Sequence, residues 1–471
     1  MLMKTASQTL AEQLCARFAD RIRNRLLAPG ARLPSVRLCA GQQGVSVATV
    51  VAAYDQLQAQ GLVIAHKNRG FFVRDSQSNT ASPHGSIDQS AIKNVANAPV
   101  DATALIRAMF HQAGGKPQPG MGVFPPDWLE TRFMLAAVRK FTSAGVMRDV
   151  SLHYGEPLGD ASLRRALSQK LAALNVPAAP GQIITTVGAT QALDIISRTL
   201  LRAGDCVMVE EPGWAVEFAR LDALGMRILP VPRRAEGPDL QVMAQYCQLH
   251  QPKLFVSVSV FHNPTGYCLS PGSAHRVLQL ANQHGFYIAE DDTYSHLAPE
   301  HATRLCALDG LQRTIYVSGF SKILAPGWRV GYLAAPTDWV ERLLDTKLLG
   351  TLTTPALLEK ALAWCIEQGQ LRRHAERIRS RLDQARARSA RLALAHGCTF
   401  AAEPAGLFGW VNTGVDTDAL AQRLLDDGYL IAPGALFHAA RQPGTLMRIN
   451  FATAQDSAFW SVFARLRDAV R

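Results

Sequence analysis

The apolar strand Ile315-Tyr316-Val317-Ser318 runs into Gly319-Phe320-Ser321-Lys322, and a turn, Ala325-Pro326-Gly327, then brings in Trp328-Arg329-Val330-Gly331. This stretch constrains the chain more than any other. A strand that ends on a lysine walled by Phe320, Ile323 and Leu324 sets the amine at the edge of a sheet. Burial there disfavours the ammonium form and makes the amine nucleophilic toward aldehydes. Arg329 is a planar, permanently charged fork suited to phosphate. The plain alternative for the lysine is a side chain that lays its stem along apolar surface and keeps its charge in water.

Alternation around this stretch defines the fold class. Ile183–Thr186, Cys206–Val209, Leu254–Val258, Tyr287–Ala289 and Ile315–Val317 read as short apolar strands separated by helical segments. That pattern predicts an α/β domain with a mostly parallel sheet. Long helices are expected after Gly350, then a smaller α+β portion with strands at Trp410-Val411 and Met447-Arg448-Ile449. Chemistry in such sheets gathers at strand ends. Val187-Gly188-Ala189-Thr190 opens a helix there, and its free N–H groups with the Thr190 hydroxyl suit a phosphate. A lysine with a phosphate-binding arginine is what pyridoxal 5'-phosphate (PLP) requires.

At 471 residues the chain exceeds one ordinary domain. No apolar run is long enough to span a membrane. Met1–Ser7 holds no apolar h-region, and the eight cysteines include no C-x-x-C pair. A cytoplasmic protein with reduced thiols, no signal peptide and no metal site is therefore expected. The net charge is +11, and residues 1–75 hold ten basic side chains against four acidic ones. A small basic module of that kind points to a polyanion partner, the alternative being a solvated basic surface.

Within that module Thr9-Leu10-Ala11-Glu12 has capping-box spacing. Leu10, Leu14, Phe18, Ile22 and Leu26 predict an amphipathic helix stopped by Ala28-Pro29-Gly30. Ser35 caps a second short helix ending at Gly44, and Ser46 caps a third that runs to about Gln60 and is closed by Gly61. Two short helices joined by a tight turn read as helix-turn-helix. Leu62–Ala65 and Phe71–Val73 flank His66-Lys67-Asn68-Arg69-Gly70, a hairpin with a basic tip that forms a wing. From Asp75 to about Pro99 aromatic residues are absent and Ser, Asn, Pro and Ala dominate, as in a linker. The expected division is a DNA-binding module over 1–75, a linker over 76–101 and a large domain over 102–471.

The module's pieces occur in a telling order: L-P-S-x-R at Leu33–Arg37, G-V-S-x-x-T-V at Gly44–Val50, A-Y-x-x-L-x-x-x-G at Ala53–Gly61 and G-x-F-V at Gly70–Val73. Together they resemble the GntR winged helix-turn-helix. By that resemblance the third helix enters the major groove and the wing touches the backbone or minor groove. Arg37, Ser46, Thr49, Lys67, Arg69 and Gly70 are the implied DNA contacts, mostly to phosphate. Val47 stands where the family commonly carries arginine.

The F-S-K region followed by A-P-G-x-R-x-G resembles the lysine region of fold-type I aminotransferases. Joined to the winged helix, it resembles the MocR subfamily of GntR regulators. The resemblance implies that Lys322 holds PLP as an aldimine, with Arg329, Ser321, Ala189 and Thr190 around the phosphate. Gly319 departs from the Ser or Thr that often stands three before the lysine. Trp214, in Glu210-Glu211-Pro212-Gly213-Trp214, is implied to stack on the pyridine ring. Asn263, in the N-P-T-G loop, and Tyr294 are implied to face the phenolate oxygen, with Pro264 a candidate cis-proline. In Glu290-Asp291-Asp292-Thr293-Tyr294, D-x-x-Y spacing assigns Asp291 to the pyridine nitrogen; Asp292 is the rival or a solvated neighbour. Tyr154, in H-Y-G-E-P-L-G, is implied to reach the partner's phosphate in a homodimer, with a swapped arrangement in which the winged helix lies over the partner's large domain. Arg448 is implied to fork onto a substrate or effector carboxylate.

The function these readings imply is transcriptional regulation, with double-stranded operator DNA as partner and PLP or an amino compound as signal. The rival is an aminotransferase carrying a DNA-binding appendage, since fold alone does not settle function. The arginines from Arg372 to Arg391 read as a solvated helix face or, alternatively, a second nucleic-acid site.

Overall fold

The computed structural model describes residues 9–23, 27, 29–66, 69–74, 116–129, 132–142, 145, 147–148 and 152–471. The expected linker 76–101, Lys67 at the wing tip, and Leu26 and Ala28 at the expected end of the first helix lie outside the described residues.

The N-terminal module forms as its local signals dictate. Helix α1, Leu10–Arg23, begins with a reciprocal capping box. The Thr9 amide donates to Glu12 at 2.7 Å and the Glu12 amide to the Thr9 hydroxyl at 3.2 Å. Helix α2, Val36–Gln43, is capped by Ser35 and ends on Gly44 at φ +65°. Helix α3, Val47–Ala59, is capped by Ser46. Strands β1, Val63–His66, and β2, Gly70–Val73, pair antiparallel as the wing. Leu14, Phe18, Tyr54, Leu57, Val63 and Val73 close a core belonging to this module alone. The Tyr54 hydroxyl donates to the Pro34 carbonyl at 2.9 Å and so ties α3 to the start of α2.

The large domain is built on an eight-stranded sheet in the order β3-β10-β9-β8-β7-β4-β5-β6. These are Ile183–Thr186, Cys206–Glu211, Arg227–Arg234, Gly237–Pro238, Leu254–Ser257, Tyr287–Asp291, Thr314–Gly319 and Gly331–Ala334, numbered β3 to β10 along the chain. Strands β9, β8, β7, β4 and β5 run parallel, while β10 is antiparallel to both its neighbours. β3, β7, β9 and β10 are buried along their whole length, as strands covered on both faces must be. Helix α4, Ala189–Leu200, follows β3 directly.

The long helix α5, Gln370–Ala395, turns Leu371, Ile378, Leu382 and Ala385 inward. Arg372, Arg373, Arg377, Arg381, Arg388 and Arg391 on it are exposed, the solvated face of a packed helix. The C-terminal portion is a second, antiparallel sheet in the order β11-β12-β14-β13: Thr399–Phe400, Phe408–Asn412, Leu446–Asn450 and Ala432–Pro433. Helix α6, Thr417–Asp426, packs beside it.

The module is seated on this C-terminal portion within one chain. Arg21 of α1 pairs with Asp426 at 2.5 Å and donates to the Leu425 carbonyl at 2.8 Å, at the end of α6. No helix among the described residues is long and apolar enough to cross a membrane.

Candidate functional site

Sheet topology brings the strand-end residues together. β9 ends at Gly319, and the next turn carries Lys322 to the C-terminal edge of the sheet. Its Nζ donates to the Gly122 carbonyl at 2.6 Å. Burial pushes the Lys322 amine down to about 8, helped by the neighbouring Arg448 charge and opposed by Asp291. The amine of this half-buried side chain turns to the half-buried Gly122 carbonyl and away from open solvent, unlike a snorkelling lysine.

Arg329 sits at φ +48° beside the turn that opens α4, and its Nη2 donates to the Val187 carbonyl at 2.7 Å. Its Nη1 lies 3.4 Å from the Ser321 hydroxyl. Gly188, at φ +85°, precedes the helix with no side-chain cap, so the first amides of α4 face outward for a ligand. A Cβ on Gly188 would stand 2.7 Å from Arg329 Nη2, and one on Gly331 would stand 2.4 Å from the Gly188 carbonyl carbon. Gly331 must therefore be glycine for the close backbone approach, and Gly188 for its positive φ. Gly319 lies against the same turn, its Cβ position 3.4 Å from the Ala189 nitrogen.

The two aspartates separate cleanly. Asp291 lines a cavity with Trp214, His262, Val258 and Glu217. Its Oδ1 accepts from the Thr293 amide at 3.0 Å, and also from the Thr293 hydroxyl. Its Oδ2 has no protein partner among the described residues, and burial pushes the carboxyl up to about 6. Asp292 is not the solvated neighbour that was one expectation for it. It is fully buried, held by Arg304 Nε at 2.6 Å and the Tyr316 hydroxyl at 2.8 Å. The strand ends on Asp291, which lines the cavity, while the pairing with Arg304 takes up Asp292.

Arg448, on β14, is buried between the rings of Phe408 and Phe437, its guanidinium carbon 4.4 and 5.1 Å from their centroids. It donates to the Asn263 side-chain oxygen at 3.0 Å and to the Gly120 carbonyl at 2.6 Å. The first bond orients the Asn263 amide so that its NH2 is the end left to donate. Arg448 Nε is buried without a partner among the described residues. Asn263 also meets the Tyr294 hydroxyl, whose ionisation burial opposes. The Asn263–Pro264 bond is cis, as is Glu211–Pro212.

Behind this surface Glu210 is clamped by Arg233 at 2.5 Å, the Ser257 hydroxyl at 3.1 Å and the Val258 amide at 2.9 Å. His262 joins Thr265 through Nδ1 at 2.9 Å and is held neutral by burial and the Arg233 charge.

Ser321, Arg329 and the start of α4 with Ala189 and Thr190 thus gather on one side and Asn263, Tyr294 and Arg448 on the other, Lys322 and Arg448 meet at Gly122, and Asp291 and Trp214 share a cavity. Tyr154 does not join them within one chain, its side chain standing 79% exposed. The sequence reading missed the segment Gly120–Val123, whose carbonyls take up Arg448, Lys322 and Asn450. Asn450 was findable, since strand alternation puts it on the same face as Arg448. Gly120 and Gly122 carried no local signal.

In the N-terminal module Arg37 and Arg69 are exposed, and Gly70 is half-buried. Ser46 and Thr49 are engaged with each other, hydroxyl to hydroxyl at 2.8 Å, as part of the α3 cap. Val47 and Val51 present exposed apolar groups on α3, and Arg32 lies against Gly70 at the wing.

Two families match the chain. Aminotransferase class I and II covers residues 130–462. The gntR family of bacterial regulatory proteins covers residues 10–73. Over 459 residues the chain is 29% identical to the uncharacterized HTH-type transcriptional regulator YdcR of Escherichia coli, spanning 94% of each. It is 26% identical over 470 residues to the uncharacterized HTH-type transcriptional regulator YisV of Bacillus subtilis, spanning 95% of this chain and 93% of that one. The crystal structure of LysN, an α-aminoadipate aminotransferase of Thermus thermophilus complexed with N-(5'-phosphopyridoxyl)-L-leucine, shares the fold. Its TM-score is 0.70 at 23% identity, over 78% of this chain and 95% of that one.

Proposed function

From the premise that the chain belongs to the aminotransferase class I and II family and carries a gntR-family module ahead of it, we propose that it is a PLP-binding transcriptional regulator whose large domain responds to an amino compound. The observation that carries the reading is the union, in one chain, of a winged helix with exposed basic residues and a half-buried lysine set between Arg329 and the buried Arg448. Relatives matched over more than nine-tenths of their length are named as regulators, which supports the same reading.

PLP, when bound, supplies an aldehyde for a lysine amine and an electron-drawing ring. The residues present fit it. Lys322, its amine pushed down to about 8, would be the group that holds the aldehyde. Arg329, the Ser321 and Thr190 hydroxyls and the amides from Ala189 would hold the phosphate. Asp291 Oδ2 would hold the ring nitrogen, the Asn263 amide and Tyr294 hydroxyl the ring oxygen, and Trp214 one ring face. Arg448 Nε, otherwise an orphan in an apolar wall, would hold the carboxylate of an incoming amino compound. Arg37, Ser46, Thr49, Lys67, Arg69 and Gly70 would meet DNA, mostly at phosphates.

A homodimer belongs to the proposal. Leu152, Tyr154, Leu349 and Leu352 are large and exposed. Gly155 packs against Thr353, Thr354 and Ala356, which brings the two ends of that patch together. Such a patch asks for a partner, and the partner subunit's Tyr154 would then complete the phosphate site.

The test is to recover the DNA retained by the full chain from random-sequence duplex, and to measure affinity for it with and without PLP across a panel of amino acids. One amino compound is expected to change the affinity, and Arg448→Ala to abolish that change while PLP stays bound. Brisk multiple-turnover transamination with DNA affinity unmoved in every state would make the chain an enzyme instead.

A further inference from the structure

Residues 116–124 form a strap that joins two distant places. At one end its carbonyls occupy the site: Gly122 takes Lys322 Nζ at 2.6 Å and Gly120 takes Arg448 Nη2 at 2.6 Å. At the other end the strap holds the segment that follows α6. Lys116 Nζ donates to the Asp427 carbonyl at 2.6 Å, Gln118 donates to the Gly428 carbonyl at 3.2 Å, and the Leu430 amide donates to Gln118 at 2.7 Å. The Gly120 amide donates to the Leu430 carbonyl at 2.8 Å. A Cβ on Gly120 would stand 2.4 Å from the Ile431 carbonyl carbon, so strap and segment lie backbone against backbone.

The same tip of α6 seats the winged helix. Arg21 grips Asp426 and the Leu425 carbonyl, and the Asp426 and Asp427 charges also act on Arg17 of α1. Arg465 pairs with Asp427 at 2.9 Å. One short stretch, Leu425 to Leu430, is therefore held by the DNA-binding module on one side and by the strap on the other.

We propose that the strap and the α6 tip carry the state of the Lys322–Arg448 site to the winged helix. The proposal rests on the regulator reading above and supplies its route. The strap's carbonyls stand in for ligand oxygens. An aldehyde held by the neutral Lys322 amine as C=N would remove both amine hydrogens with its oxygen as water, and Gly122 would lose its donor. A carboxylate forked across Nε and Nη2 of Arg448 would compete for the N–H that Gly120 accepts. A ligand that takes either donor would loosen the site end of the strap. The packed tip must follow, because interfaces of this density repack between discrete arrangements and do not deform continuously. The seat of Arg21 then changes with the ligand, which is a coupling free energy between two sites.

The test uses the full chain, without PLP, with PLP, and with PLP plus each amino acid of a panel. Hydrogen–deuterium exchange is followed in the strap, the tip and α1. Loading is expected to raise exchange in all three. In Asp426→Asn or Arg21→Gln the strap is expected to respond as before while α1 no longer does, and the ratio of DNA affinities between loaded and unloaded states falls to about one. Gln118→Ala and Lys116→Ala sever the other end, and are expected to uncouple the tip from the strap with the visible absorbance of bound cofactor unchanged. If α1 follows loading equally in all four variants, the route is overturned while the regulator reading stands. If α1 follows loading in the parent chain but its DNA affinity is the same in every state, the route stands and the regulator reading falls.

Discussion

Lys322 titrates in a changed environment, and that change is measurable. An ordinary lysine amine has a value of 10.5, and burial beside Arg448 pushes this one down to about 8. The neutral amine is the form that attacks an aldehyde, so capture of PLP by cofactor-free protein should accelerate as pH rises and level off above about 8. Stopped-flow absorbance across the pH range measures this, and a midpoint near the ordinary lysine value would remove the depressed amine from the account. The neighbouring aspartates predict opposite signatures. Asp292→Asn should lower stability by about 3–5 kcal/mol, because Arg304 would be left as an uncompensated buried charge. Asp291→Asn should not destabilise the cofactor-free protein at neutral pH. Its folded value, about 6, lies above the ordinary 3.8, so its ionised form opposes folding as pH rises through that window. Its loss should appear in the spectrum and affinity of bound PLP. The spacing to Tyr294 favoured Asp291 by resemblance but left Asp292 as its rival. The burial of Asp292 was not legible, because its partner Arg304 is set by tertiary packing.

Among the elements, the winged helix was the most legible, because caps and turns are local. Thr9→Ala removes one half of a reciprocal cap and should lower the stability of α1 by about 1 kcal/mol, read from thermal or denaturant unfolding. Arg69→Ala should weaken binding alike across DNA sequences and reduce the slope of log affinity on log salt by about one. A change confined to one sequence would instead make Arg69 a base contact. Ser46 was expected at the DNA and is also the α3 cap, its oxygen already accepting from the Thr49 amide at 3.1 Å. Ser46→Ala should therefore cost stability as well as affinity. The strap had no such local signal. Its partners Leu430, Arg448 and Lys322 lie hundreds of residues away in sequence.

For the whole molecule, the winged helix closes its own core around Phe18, Tyr54 and Leu57. A fragment spanning the module should therefore fold alone and bind duplex DNA with strong salt dependence. It should show no response to PLP or amino acids, which belongs to the large domain. Failure of both the fragment and the full chain to bind DNA at low salt would end the regulator reading. The resemblance implied a winged helix lying over the partner's large domain. The structure adds a seat within the same chain, made by Arg21 on the end of α6.

Alternation of short apolar strands with helices, the capped helices of the first module and the lysine stretch after β9 were enough to specify both architectures. Each depends on hydrogen bonding or burial within a few turns of chain, and local residues state such preferences openly. Tertiary structure alone decided which aspartate faces the cavity, which groups orient Asn263, and which backbone carbonyls Lys322 and Arg448 hold. These are contacts between segments brought together by the order of strands in the sheets. A residue such as glycine, which contributes only its backbone and the absence of a Cβ, carries no mark in the sequence of what will approach it.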